Sequence, residues 1–361
     1  MSDGWTVLAI NPGSTSTKVA VYRDQNPLFE AHTRHEADEL AAFERVADQK
    51  EMRLQCVLAA LRAHDLPLSG LDAVVGRGGL LRPVPSGTYR VNDRMLRDAL
   101  HPTGREHASN LGAVLAHEVA ARAGGAVGAY VVDPVSVDEM EPLARVSGLP
   151  EIERRSFSHA LNLKAVARRL AHDLGTEYTQ LNLIGVHLGG GITVSAHRRG
   201  AMINVNQALD GTGPFSPERA GGLPVGDLVR LCFAEPGASP GRVMHKIVGQ
   251  GGLVAHLGTS DAQEVERRID AGDAHARLIY EAMAYQVAHE IGGMAAVLKG
   301  QVDAIYLSGG LAYSQRLVGW IEERTAWIAP IHVYPGQFEM LAMVQGALRV
   351  LNGIEPARDY K

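Results

Sequence analysis

At several separated points this sequence sets a charged side chain beside a glycine-bearing turn, a combination suited to holding an anion. The first is Asn11-Pro-Gly-Ser-Thr-Ser-Thr-Lys18. Gly13 lets the backbone approach a ligand, the amides of residues 14–17 can point at it, and Lys18 adds positive charge. Arg77 is enclosed by Gly76 and Gly78-Gly79 at the end of an apolar run, with little reason to be there for packing. Asp133 ends another apolar run, a place where α/β proteins commonly put a catalytic or metal-associated carboxylate. Arg219 sits within a Gly/Pro-rich loop over 210–224, and loops of that length are usually functional or disordered. Gly189-Gly190-Gly191 and Gly309-Gly310 add two further glycine turns.

Taken singly, each has an ordinary reading: a hairpin with a Ser/Thr-rich turn needs no ligand, and neither does a triple glycine. Together they fit phosphoryl transfer. Its transition state spreads charge over the equatorial oxygens, so it calls for fixed cations and amides rather than a nucleophilic side chain. Other chemistries lack their patterns. The first turn is no P-loop, because Lys18 opens a strand, not a helix. His117-Glu118 and His289-Glu290 lack the second histidine of a zinc protease. No Gly-x-Ser-x-Gly elbow appears, and no dinucleotide fingerprint follows the first strand.

The elements that must position these groups follow from periodicity. Residues 7–22 predict a β-hairpin, 28–33 a third strand and 36–63 a helical region, with a short strand at 73–75 running into Arg77. A helix is expected over 104–124, its first turn placing His107, Ser109 and Asn110 where a helix N-terminus could face a phosphate. A strand over 126–132 leads to Asp133, and a helix near Ala160, preceded by His159, opens a second domain. Strands at 183–188, 192–196 and 201–205 then repeat the opening grammar of strand, glycine turn, strand, tight turn, strand. Helices follow at 225–233, 262–269 and 273–299, a strand at 304–307, a helix from Ser314, a strand at 331–334 and a helix at 339–351. The echo predicts an internal duplication: two similar α/β domains facing a shared cleft, with both phosphate turns pointing into it. Residues 1–155 would form the first domain, completed by a C-terminal helix within 340–361, and 156–339 the second.

Composition narrows the partners. At 361 residues the chain has length for two domains, and 46% apolar with 21% charged residues is a globular balance. A net charge of -5 carries no polybasic signature, so nucleic acid and anionic membrane are poor candidates. Two cysteines are too few for a disulfide framework and fit a reducing cytoplasm; no signal peptide and no membrane-spanning run is expected.

Through Val7-Leu-Ala-Ile-Asn-Pro-Gly-Ser-Thr-Ser-Thr-Lys18, Val75-Gly-Arg-Gly-Gly-Leu80, His187-Leu-Gly-Gly-Gly191, Asp210-Gly-Thr-Gly-Pro-Phe-Ser-Pro-Glu-Arg219 and Leu307-Ser-Gly-Gly310, the whole chain resembles the acetate kinase family, in the superfamily of actin, sugar kinases and heat-shock ATPases. The resemblance implies two duplicated ribonuclease-H-like domains flanking a nucleotide cleft, ATP/ADP and Mg²⁺ as cofactors, a small carboxylic acid and its acyl phosphate as substrates, and a homodimer or larger assembly. By position, it makes Asn11, Ser14, Ser16 and Lys18 the phosphate hairpin, Arg77 the arginine for the substrate carboxylate and Arg219 the arginine on the transferring phosphoryl group. It places His187 and Gly189 to Gly191, with Gly309 and Gly310 of the adenosine loop, in nucleotide binding, and Asp133 and Glu339 beside magnesium.

Two departures from the acetate kinase pattern point to its butyrate branch. His159 matches the first of two family histidines while Leu163 takes the place of the second, and Gly190 replaces an asparagine. His159 and His187 therefore rank below the arginines as phosphate ligands. A carboxylic acid with a pKa of about 4–5 is already ionised at neutral pH and needs no general base, so Asp133 is assigned to Mg²⁺ or its waters. A sugar kinase, with Asp133 as base for a hydroxyl, and an actin-like nucleotide-switched assembly module remain as alternatives.

Overall fold

The computed structural model describes residues 4–102, 106–124, 127–209, 211–234 and 239–361. Gly104, Ala126 and Asp210, which the sequence reading places at the starts of a helix, a strand and the long loop, lie outside the described residues. The chain divides into two compact units, residues 1–137 with 338–361, and residues 138–337.

In unit 1, β1 (Thr6–Gly13), β2 (Ser16–Arg23) and β3 (Asn26–Arg34) form an antiparallel meander. On the other side of β1, β4 (Ala73–Arg77) pairs in parallel, and beyond it come β6 (Gly128–Val132), parallel to β4, and the antiparallel β5 (Thr88–Arg90). The pair Arg358–Asp359 closes that edge. Val7 through Ile10 are wholly buried, as expected of a strand covered on both faces. Leu8 and Ile10 pack with Leu54, Val57 and Leu61 of the Lys50–Ala63 helix and Leu111, Leu115 and Val119 of the Leu111–Ala123 helix. The C-terminal helix Glu339–Leu351 packs on β1, β4 and β6. Gly76 and Gly112 let helix and strand backbones touch: a Cβ on Gly76 would stand 1.9 Å from the Gly112 carbonyl oxygen, and one on Gly112 2.1 Å from that of Arg77.

Unit 2 repeats the five-strand core. β7 (Asn182–Leu188), β8 (Ile192–Arg198) and β9 (Ala201–Val205) form the meander, and β10 (Ala304–Gly309) and β11 (Ile331–Pro335) add in parallel beyond β7. The order β9-β8-β7-β10-β11 matches β3-β2-β1-β4-β6 in sequence and in strand direction. The duplication read from the sequence pattern is thus a duplication of topology, and each unit has the ribonuclease-H-like arrangement. The 24-residue helix Ala274–Val297 supplies much of the unit 2 core through Tyr280, Met283, Val287 and Ile291. A polar network also lies inside this unit. Fully buried His197 joins Tyr178 Oη at 2.5 Å, Ser195 Oγ at 2.7 Å and Tyr306 Oη at 3.2 Å. Fully buried Lys164 donates to Glu139 at 2.5 Å and to the Gly200 carbonyl at 2.8 Å. Burial, aided by the Lys164 charge, pulls the His197 pKa from 6.5 down to about 3, so the ring is neutral.

Three expectations need correction. Residues 138–155 belong with unit 2, not with the N-terminal domain: Glu139 pairs with Lys164, and the Glu141 amide donates to the Ile203 carbonyl of β9 at 3.0 Å. The helical region over 36–63 is broken into Ala37–Ala41, a 3₁₀ turn at Val46–Gln49, and Lys50–Ala63. The next long helix begins at Leu111, and the polar groups ahead of it serve the fold: Asn110 Oδ1 accepts from the Leu80 amide at 2.8 Å, and His107 Nδ1 from the Ser109 amide at 3.1 Å. Cys56 and Cys232 are free thiols. Among the described residues, no helix is long and apolar enough to cross a membrane.

Candidate active site

Because β1, β4 and β6 run parallel, their C-terminal ends share one edge of the unit 1 sheet. That edge carries the hairpin turn after Gly13, Arg77 and Asp133. Asn11 and Lys18 are cross-strand partners, so their side chains share a face of the hairpin. Ser14 is exposed at the turn, and Ser16 and Lys18 are half-buried. From the first turn of the C-terminal helix, Glu339 reaches both flanking elements. One carboxylate oxygen accepts from Asn11 Nδ2 at 2.8 Å, and the other forms an ion pair with Arg77 Nη1 at 2.5 Å. The Arg77 and Glu339 side chains are 12% and 15% exposed.

Arg77 is paired in register with Val132, so Asp133 follows directly beside it. Asp133 is 2% exposed, has a positive φ of 38°, and its Oδ1 accepts from the Gly87 amide at 2.7 Å while its own amide donates to the Gly87 carbonyl. Asp133 and Glu339 are hard oxygen donors, and Mg²⁺ is usually held by one or two carboxylates with phosphate and water completing its shell. Among the described residues no cluster of three metal-ligating side chains occurs. The chemistry of these two carboxylates is compatible with a magnesium ion bound together with a phosphate.

In unit 2 the equivalent edge lies at the ends of β7, β10 and β11. The turn Gly189-Gly190-Gly191 follows β7, with Gly190 exposed at its tip. His187, 3% exposed, stacks on His159 with ring centroids 4.1 Å apart, and His159 Nδ1 meets Thr193 Oγ1 at 2.8 Å. Asn162, 1% exposed, lies behind this pair: its Oδ1 accepts from Ser308 Oγ at 2.9 Å and faces His187 Nδ1 at 3.2 Å. Gly309 exchanges two backbone hydrogen bonds with Gly336, joining the turns after β10 and β11, and Gly310 is open to solvent.

The described part of the long loop, 211–224, is tied down rather than loose. The Ser216 amide donates to the Arg219 carbonyl, and Ser216 Oγ donates to the Gly190 carbonyl at 2.6 Å, fixing the loop to the glycine turn. Arg219 Nη1 donates to the Ala208 carbonyl, and the guanidinium lies across Gly191, where a Cβ would come within 2.2 Å of Nη1. Arg219 also lines a small recess with Ile192, Gln207, Thr212, Pro214 and Ser216.

The structure thus gathers Asn11, Arg77 and Glu339 into one contact set with Lys18 and Asp133 nearby in the sheet, and His187, His159, the glycine turn and Arg219 into another. Leu163 is fully buried, and its carbonyl accepts from Tyr306 Oη, so that position is core in this chain. Asn162, Thr193 and Ser216 escaped the sequence reading. A polar Asn162 amid the apolar Ala160–Leu163 run was the one local signal for them.

A model of the acetokinase family matches residues 151–319. Among solved structures, acetate kinase from Porphyromonas gingivalis superposes with a TM-score of 0.77 at 17% identity, covering 96% of this chain and 100% of that one. A propionate kinase from Francisella tularensis subsp. tularensis SCHU S4 gives 0.75 at 18% identity, with 95% and 98% covered. Acetate kinase from Entamoeba histolytica gives 0.74 at 15%, with 95% and 99% covered. Residues 151–319 thus match the acetokinase family model, and almost the whole chain shares its two-unit fold with these acetate and propionate kinase structures.

Proposed function

We propose that this protein is a carboxylate kinase that passes a phosphoryl group reversibly between ATP and a short- or branched-chain carboxylic acid, with butyrate as the reference substrate. The observation that carries the reading is the pairing of Arg77 with the Glu339 carboxylate, since the sequence-predicted acid-binding arginine stands at a strand end and already pairs with a carboxylate there. The acetokinase-family match supports the same reaction class. Arg77 would bind the acid. Asn11, Ser14, Ser16 and Lys18 would hold phosphate, Arg219 the transferring phosphoryl group, and His187, Gly189 to Gly191, Gly309 and Gly310 the nucleotide. Glu339 and Asp133 would hold Mg²⁺, which supplies charge neutralisation when bound with the nucleotide. The acid arrives ionised, so the work of these residues is to offset repulsion between two anions.

A sugar kinase reading is less well supported, because Asp133, the base it requires, is 2% exposed and accepts from a backbone amide. Hydroxylamine trapping separates the two, since acyl phosphates yield hydroxamates and sugar phosphates do not. Turnover with C2 to C6 acids is expected to give hydroxamate, with the chain-length series setting the preferred acid. An active protein that yields none with any of them would overturn the reading. The butyrate preference is favoured by Leu163 and Gly190, which replace the histidine and asparagine of the acetate kinase pattern. A homodimer or larger assembly and a cytoplasmic location belong to the same proposal.

A further inference from the structure

Beneath the phosphate hairpin lies a buried charge with no ion-pair partner among the described residues. Arg53, in the first turn of the Lys50–Ala63 helix, is 0% exposed. Its Nε and Nη2 donate to Gln49 Oε1 at 3.1 and 2.9 Å. Nη1 donates to the Ser16 carbonyl at 2.8 Å and to Thr17 Oγ1 at 3.1 Å, and Nη2 to the Ser14 carbonyl at 3.4 Å. Every acceptor is neutral. Among the described residues no carboxylate lies within ion-pair distance. Glu39, an acid whose field reaches Arg53, is half-exposed and meets His35 Nδ1 at 3.5 Å instead. Thr17 Oγ1 also contacts His35 Nε2 at 2.9 Å, and burial together with the Arg53 charge lowers the pKa of His35, so that ring adds no second cation here at neutral pH.

A fully buried guanidinium without a counter-ion is costly, and buried charges are normally paired. The helix adds to the cost, because a cation is disfavoured near a helix N-terminus. Such an arrangement is explained if an anion belongs on the other side of the turn. Arg53 draws the Ser14 and Ser16 carbonyls inward. A trans peptide sets the next N–H opposite its carbonyl, so the Thr15 amide is directed away from the guanidinium. Thr15 is exposed.

We propose that Arg53 is a positioning residue of the phosphate hairpin: it anchors the carbonyls of the turn from beneath, aims the turn's donors outward, and supplies buried positive charge that a bound phosphate completes. This rests on the reading of the hairpin as a phosphate site. It does not depend on which acid is the acceptor.

Thermal melts of the full chain, wild type and Arg53→Met, with and without inorganic phosphate or Mg-ATP, test it. Arg53→Met is expected to melt, without ligand, no lower than wild type, since an uncompensated charge has gone, and to lose at least two-thirds of the ligand-induced rise in melting temperature. Arg53→Lys, keeping the charge and losing the fork, is expected to fall between them. A variant that melts lower without ligand yet keeps the full rise would show a merely structural arginine and overturn the inference. Should the variant not fold, amide exchange in the wild type decides: phosphate is expected to slow exchange at Thr15 about tenfold, and unchanged exchange there overturns the inference. If wild type itself responds to neither ligand, the phosphate-site reading falls as well.

Discussion

Arg77 forms an ion pair with Glu339 across 2.5 Å while the other oxygen of the same carboxylate accepts from Asn11, so one acidic side chain of the C-terminal helix joins two strands of the N-terminal sheet. The pair is nearly buried, so solvent screens its attraction little. Removing the guanidinium leaves a carboxylate with one neutral amide. Arg77→Ala is expected to raise the KM for the acid by about ten- to a hundredfold, the worth of a charged hydrogen bond, with the KM for ATP within about twofold. Steady-state kinetics with each substrate varied in turn check this.

Gly191→Ala is expected to spare the fold and injure catalysis. The added Cβ would meet Nη1 of Arg219 at 2.2 Å, and a long side chain can yield where a backbone cannot. The guanidinium moves away, and with Arg219 in its proposed place on the phosphoryl group kcat should fall by about a hundredfold. A melting curve matching wild type, recorded on the same sample, separates this from misfolding.

Gly112→Ala makes the opposite case. Its Cβ would lie 2.1 Å from the Arg77 carbonyl oxygen, and both partners are backbone. The helix must lift off the sheet, at a cost of about 3 kcal/mol, which denaturant unfolding measures. Activity should fall with it, because the displaced strand residue is Arg77.

Stability should fall in acid through His197. Its folded pKa is about 3 against 6.5 when unfolded, so between these values the unfolded chain binds the extra proton. The contribution is full above about pH 6.5 and is lost as pH falls towards 3, with a slope of at most about 1.4 kcal/mol per pH unit. His197→Gln should flatten that part of the profile in equilibrium unfolding.

The hairpin, the glycine turns and the repeated strand grammar were legible because they are local: alternation, β-branching and glycine are written within ten residues of one another. What stayed hidden depends on partners distant in sequence. Arg53 precedes the apolar positions 54, 57, 58 and 61 of its helix and reads as a surface residue, until the Ser14 and Ser16 carbonyls are seen above it. Lys164 and His197 look like surface residues on a helix and a strand, yet they lie in one buried network. The tie from Ser216 to Gly190 joins residues 26 apart, and no pattern in either segment announces it. The same holds for residues 138–155, whose allegiance is decided by Glu139 finding Lys164.

The tail of the chain is woven into the N-terminal unit. Tyr360 is buried, its hydroxyl accepts from the Arg82 amide and donates to Asp98, and its carbonyl accepts from Asn92. During synthesis residues 1–137 emerge before the uninterrupted 138–337, and the helix and edge strand that complete their core only after it. The second unit can therefore close on the ribosome while the first waits for residues 338–361. Arg77 therefore stays without Glu339 until residues 338–361 have followed the whole second unit out of the ribosome.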